Sequence, residues 1–193
     1  MPKEKVLDRA LESALIQDAS FRQWFIDKTR FKGIISTCHW SRSDNPWCRV
    51  TLYLPSPDTG KAELVKREGE TDILFVFQAE SGRRQALHIE NKLASGRFTL
   101  YQPEVYEARA KLWARSAKYG DYDEWETVLV APNSFLKRNA ASARKFGVSI
   151  AHEDIAVYLP IFSPYKDYRG PLLLPPFGTT QTPKKRRSRR TLR

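Results

Sequence analysis

Residues 72–92 read DILFVFQAESGRRQALHIENK, and this stretch decides the fold. Residues 72–77 begin with an acid and continue as a β-branched and aromatic run. Residues 80–83 (ESGR) form a turn, and residues 85–93 (QALHIENKL) form a second apolar run. Two such runs around a glycine-containing turn predict a β-hairpin. A turn centred between Ser81 and Gly82 puts Asp72 opposite Asn91, beside Glu90 and Lys92. Glu90 and Lys92 are two residues apart and therefore share a face of their strand. The hairpin is thus expected to bring one carboxylate of its first strand to a carboxylate and an ammonium of its second.

Two converging carboxylates repel unless a cation lies between them. Their hard oxygen ligands favour Mg²⁺ or Mn²⁺. Such an ion acidifies a water it holds, and a neighbouring lysine can orient that water or stabilise charge developing on a phosphate. Together these are the requirements of phosphodiester hydrolysis. The competing reading is a surface ladder of opposite charges across a hairpin, which is common and weakly stabilising. The strongly apolar flanks ILFVF and ALHI argue for a central strand pair, where buried charge needs a purpose.

Working outward, residues 4–28 are expected to be helical. Leu7, Leu11, Leu15 and Ile16 recur at helical spacing, and Ser20 is a candidate cap for a second piece. Residues 33–47 read as a loop with a short strand near 34–37. Residues 48–54 and 61–67 alternate around a Pro/Gly-rich turn, which predicts another hairpin. Residues 101–117 form a long helix, and residues 127–131 a short buried strand. Residues 133–145 form a helix, 148–150 a strand, and 152–159 a helix with an acidic first turn. Prolines after 159 oppose regular structure. The order α–β–β–β–α–β–α predicts an α/β fold with a mixed sheet flanked by helices.

The string Asp72 … Ile89-Glu90-Asn91-Lys92 resembles the PD-(D/E)XK nuclease superfamily, whose restriction-endonuclease-like core is αβββαβ. The resemblance extends to Gly69-Glu70-Thr71-Asp72. It also takes in Gln102-Pro103-Glu104-Val105-Tyr106, similar to the QxxxY motif of the RecB-type exonuclease branch. Phe21-Arg22-Gln23-Trp24-Phe25, followed by GETDI and IENK, is similar to uncharacterised bacterial members. It covers about residues 7–158. Thr71 stands where the motif has a nominal proline, and residues 45–66 look like an inserted hairpin suited to reading substrate.

What the resemblance implies is a Mg²⁺- or Mn²⁺-dependent nuclease, with DNA the expected substrate. Asp72 and Glu90 would bind metal, Lys92 would act on the attacking water or the transition-state charge, and Gln102 and Tyr106 would support them. An acid on the first helix often joins such a site. Glu12 is the candidate and Asp8 its alternative. Glu70 is either a secondary ligand or a loop charge. Arg109 and Lys111 would extend a basic track, although such charges are more often a solvated face. His88 shares the face of Glu90 but reads as a packed histidine. His39 and His152 lack partners at metal-ligand spacing. Many nucleases of this type dimerise, so a homodimer is compatible with the reading.

The 193-residue chain carries a net charge of +11, and seven basic residues with no acid fall in 178–193. Residues 1–177 are therefore expected to form a mildly basic nuclease-like domain, and 178–193 a disordered basic tail. Lys184, Lys185, Arg186, Arg187, Arg189 and Arg190 in that tail are candidates for gathering nucleic acid through its phosphates. Two cysteines without CxxC spacing suggest neither a zinc site nor a disulfide framework. No apolar run is long enough to span a membrane, and the charged start lacks a signal core, so a cytoplasmic protein is expected. The rival functions are a catalytically inactive nucleic-acid-binding module and an interaction protein of a defence system.

Overall fold

The structure, a computed structural model, describes residues 2–163. The basic tail, its six candidate residues and residues 164–177 lie outside the described residues.

Two helices lead the chain. Helix α1 (Glu4–Gln17) presents Leu7, Leu11 and Leu15 to the interior, while Ile16 faces solvent. Helix α2 (Ala19–Ile26) starts at Asp18, whose carboxylate accepts the N–H groups of Ser20 and Phe21 at 2.9 and 3.0 Å. Asp18 therefore caps the helix in place of Ser20, the better acceptor taking the orphan N–H groups.

Strand β1 (Ser36–Arg42) follows, longer than the segment expected at 34–37 and interrupted by an irregularity between Cys38 and Trp40. Strands β2 (Trp47–Pro55) and β3 (Ala62–Glu70) form an antiparallel hairpin that makes a separate two-stranded sheet. This is the hairpin expected from residues 48–54 and 61–67, with its second strand carried on to Glu70. Strands β4 (Ile73–Ala79) and β5 (Arg84–Asn91) come next, then α3 (Gln102–Trp113), β6 (Glu124–Ala131) and β7 (Val148–Ala151). The helix expected over 133–145 divides at Asn139 into α4 (Asn133–Arg138) and α5 (Ala140–Ala143), and α6 (His152–Ile155) is one turn long.

The main sheet has the order β1-β4-β5-β6-β7. Its first three strands are antiparallel, and β5, β6 and β7 are parallel. The parallel step from β5 to β6 needs a crossover, which α3 supplies. With the β2–β3 hairpin set aside, α1 and α2, β1, β4, β5, α3, β6 and β7 give a mixed five-stranded sheet flanked by helices.

The register of the β4–β5 hairpin differs from expectation by one residue. Ile73 pairs with Ile89 and Leu74 with His88, so Asp72, one step before β4, comes level with Glu90 and not with Asn91. The cause is the turn. Ala79 and Arg83 close a three-residue loop over 80–82, with Gly82 at φ +83°. A left-handed glycine in the last loop position is the usual ending of a three-residue hairpin loop.

Each face of the sheet buries its own core. Ile73, Phe75, Phe77, Leu87 and Ile89 pack against the leucines of α1 and against Phe21 and Phe25. Leu74, Val76 and Ala86 face Trp113, Tyr119 and Tyr122. Burying each such large side chain is worth about 1.5–3 kcal/mol. Gly120 packs closely against the second of these cores. It holds φ +87°, and a Cβ on it would lie 2.9 Å from Val76 Cγ2. Gly120→Ala is expected to cost about 1–3 kcal/mol, read as a lower midpoint of urea unfolding with an unchanged slope. An unshifted midpoint would refute this packing.

Candidate active site

The site forms where the chain enters β4 and leaves β5, beside the first turn of α3. At this end the parallel strands present their carboxyl termini, where open α/β sheets usually bind ligands. A solvent-open cleft of ≈ 500 Å³ lies here, lined by Asp72, Glu90, Lys92, Gln102, Tyr106 and Arg109 among others. The last residues of β3, Gly69 and Glu70, form one wall, and Glu4 of α1 closes another side.

Glu90 is 2% exposed and is gripped by two donors. Lys92 makes an ion pair with its Oε1, and Gln102 Nε2 donates to the same oxygen at 2.7 Å. Burial alone would depress the Lys92 ammonium, but Glu90, Asp72 and Glu4 together outweigh it and hold its pKa above the ordinary lysine value. In this state Lys92 is a cation. Its backbone N–H donates to Val130 O at 2.8 Å, so the chain leaving β5 stays pinned to β6.

Asp72 is 5% exposed. Its Oδ2 accepts the Asn91 N–H at 2.8 Å and its Oδ1 accepts Asn45 Nδ2 at 3.2 Å. Burial, then the charges of Glu90 and Asp8, push its pKa well above the usual carboxylate range, against the pull of the Asn91 N–H. Tyr106 is fully buried beneath the pair, and its hydroxyl oxygen accepts the Asp72 N–H at 3.2 Å. Burial and the charges of Glu90 and Asp72 raise its pKa, which keeps the phenol protonated.

The first helix does reach this region, but not through Glu12. That carboxylate is held by Ser41 and Ser43 over β1. Glu12 lies off the stripe of Leu7, Leu11 and Leu15, whereas Glu4 and Asp8 continue that stripe toward the cleft. Asp8 is 1% exposed and accepts Asn91 Nδ2 at 2.8 Å. Burial raises its pKa to about 6, with the Asn91 hydrogen bond opposing and Glu4 adding to the rise. The pKa of Glu4 is also raised, by burial first and by Glu90 in part.

Asn91 joins the site without any local signal in the sequence for that role. Its N–H serves Asp72, its amide donates to Asp8, and its Oδ1 accepts His152 Nε2 at 2.8 Å. His152 is buried and its pKa is lowered to about 4 by desolvation, so it is neutral at pH 7 and donates through Nε2–H. His88 is a packed histidine, as expected, with Nε2 2.9 Å from the Tyr122 hydroxyl. Lys111 is exposed, whereas Arg109 is 1% exposed and turned into the cleft wall. Asn45, Glu4 and Asn91 carried no motif of their own. Only their tertiary positions reveal them.

No family model, curated protein or solved structure matches the chain. The site must therefore be read from its own chemistry.

Glu4, Asp8, Asp72 and Glu90 act on one another electrostatically, and Lys92 supplies the ammonium among them. That surplus of buried negative charge fits a hard divalent cation. Among the described residues, no three His, Cys, Asp or Glu side chains close on a common point. Asp72 and Glu90 offer the sparser donor set that Mg²⁺ accepts when it keeps several waters. Among the described residues, no helix is long and apolar enough to cross a membrane.

Proposed function

We propose that this chain is a metal-dependent nuclease of the restriction-endonuclease-like type that hydrolyses phosphodiester bonds, in DNA by preference. One observation carries the reading. Asp72, Glu90, Lys92, Gln102 and Tyr106, separated by up to thirty-four positions in sequence, line one cleft. The order of helices and strands around the main sheet, once the β2–β3 hairpin is set aside, supports the same reading.

Asp72 and Glu90 would hold Mg²⁺ or Mn²⁺, which would supply Lewis acidity toward the phosphate and a more acidic water. The remaining work belongs to the chain. Gln102 and Lys92 fix the Glu90 carboxylate in one orientation, so its free oxygen keeps its aim. Lys92 holds its proton and therefore acts as a positive charge toward the phosphate oxygens in the transition state. Tyr106 and Asn91 fix the backbone and carboxylate of Asp72. The β3 wall limits access from one side and orients the strand.

The test is a nicking assay on plasmid and single-stranded substrates with Mg²⁺, Mn²⁺ or EDTA. The expected result is cutting that requires either metal and stops in EDTA. Salt-sensitive binding without cutting under any metal condition would overturn the enzyme in favour of a binding module. Absence of both would leave an interaction protein.

A further inference from the structure

We propose that Arg109 is the receptor for a non-scissile phosphate of the bound nucleic-acid strand. This rests on the nucleic-acid substrate of the reading above. Arg109 is 1% exposed, and its Nε and Nη1 are buried with no hydrogen-bond partner among the described residues. A buried guanidinium with unmet donors is costly and calls for an anion. Among the described residues no carboxylate makes an ion pair with it, although Glu4 and Glu70 line the same cleft. Glu90 is held by Lys92 and Gln102, Glu68 by Arg49, and Asp72 by Asn45 and the Asn91 N–H.

The surroundings hold the face of the guanidinium and leave its in-plane donors unfilled. The guanidinium lies 4.5 Å from the Tyr106 ring centroid and 5.8 Å from that of Trp113. Aromatic contact of this kind satisfies the charge without using the in-plane N–H groups. Strand β3 crosses above it at Gly69, where a Cβ would lie 3.5 Å from Nη1 and 3.6 Å from Nη2. The absence of a side chain there keeps the guanidinium in reach of the cleft that it lines. A planar fork of N–H groups matches the oxygens of a phosphate.

Position along α3 says which phosphate. Gln102, Tyr106 and Arg109 follow at helical spacing on one face, and Gln102 holds Glu90. At 1.5 Å per residue, the Cα of Arg109 is about 10 Å along the helix from that of Gln102. Its guanidinium reaches back to the Tyr106 ring and makes no ion pair with Asp72 or Glu90 among the described residues. It therefore meets a phosphate beyond the one under attack.

The test is binding of fluorescent oligonucleotides to the full chain in EDTA, read by anisotropy. Each oligonucleotide carries one neutral methylphosphonate, moved stepwise along the strand, and a further pair differs only in a 5′-phosphate. For the native chain, affinity should fall about 10–100-fold at one position or on loss of the 5′-phosphate. The first result identifies an internal phosphate, the second a terminal one. Arg109→Gln should bind the unmodified strand more weakly by a similar factor and show no further loss at that position. Gly69→Leu, which leaves Arg109 intact but covers it, should erase the same position, so the test survives misfolding of Arg109→Gln.

Identical position profiles in the native chain and in a folded variant would overturn the proposal and leave Arg109 a packing residue. Because binding is read without metal, the outcomes separate. A chain that never cuts but shows the Arg109-dependent position keeps this receptor and loses the nuclease. A chain that cuts with Mg²⁺ but shows no such position does the reverse.

Discussion

Lys92→Ala is expected to lower Mg²⁺-dependent phosphodiester cleavage by about 10³-fold or more, the scale lost when a preorganised charge is removed from a developing oxyanion. The magnitude follows from position and charge state together. Lys92 is mostly buried, its ammonium is held above the ordinary lysine value, and it shares the cleft with both carboxylates. A cation in that setting costs nothing to reorganise as phosphate charge builds. Glu90→Ala should remove cleavage to a similar degree, with a different signature. Oligonucleotide binding should stay equal or tighten, because a repulsive carboxylate near the phosphate is gone. Single-turnover cleavage and anisotropy on the same preparations check both variants. Cleavage by Lys92→Ala within tenfold of the native rate would remove the ammonium from the mechanism. Loss of binding by Glu90→Ala together with a collapsed unfolding transition would show Glu90 to be structural.

Asp72→Asn should separate stability from activity in the opposite direction. Asp72 is buried beside Glu90 and Asp8, and its pKa is raised by burial and by those charges. A carboxyl whose folded value exceeds its unfolded value binds its proton more tightly in the fold. Stability is then fullest below about pH 4 and declines as pH rises toward the folded value. Asp8, raised to about 6, contributes in the same sense over the window from about 4 to 6. The metal-free native chain is therefore strained at neutral pH, and Asp72→Asn should stabilise it there by about 1–2 kcal/mol. The same substitution should abolish cleavage and the rise of Tm with millimolar Mg²⁺ that a cation bound only by the folded state produces. In the native chain that rise should shrink as pH falls, because protons compete with the cation for Asp72, whose burial already favours its protonated form. Thermal melts with and without Mg²⁺ between pH 5 and 8 read all three effects. An equal Mg²⁺ response in the native chain and Asp72→Asn would exclude Asp72 as a ligand.

Much of this arrangement is legible in the sequence. The runs at 72–77 and 85–93 and the 101–117 helix carry strong local patterns, and they became β4, β5 and α3. Local pattern does not fix register. A two-residue turn would set Asp72 opposite Asn91 and so on the other face from Glu90 and Lys92, because one step of slip exchanges the faces of a strand. The three-residue loop over 80–82 places Asp72 level with Glu90. The signal was present in Glu80-Ser81-Gly82, a loop whose last residue can take φ > 0.

The first-helix acid illustrates the same limit. Leu7, Leu11 and Leu15 define the inward stripe, and Asp8 falls on it, while Glu12 sits further round toward Ser41 and Ser43. Asn45 and Asn91 could not be read locally at all. Each donates to Asp72 across a long gap in sequence, and Asn91 also joins Asp8 and His152.

The β2–β3 hairpin ends at Glu70, and Thr71 alone separates it from Asp72. Thr71 N–H is tied to Pro46 O at 3.1 Å, at the opposite foot of the same hairpin. The feet of the hairpin are thus joined one residue before the acid, like a lever pivoted at its base. On the proposed reading, a nucleic-acid strand that leans on the hairpin would apply torque at Asp72, so grip and chemistry would share one hinge.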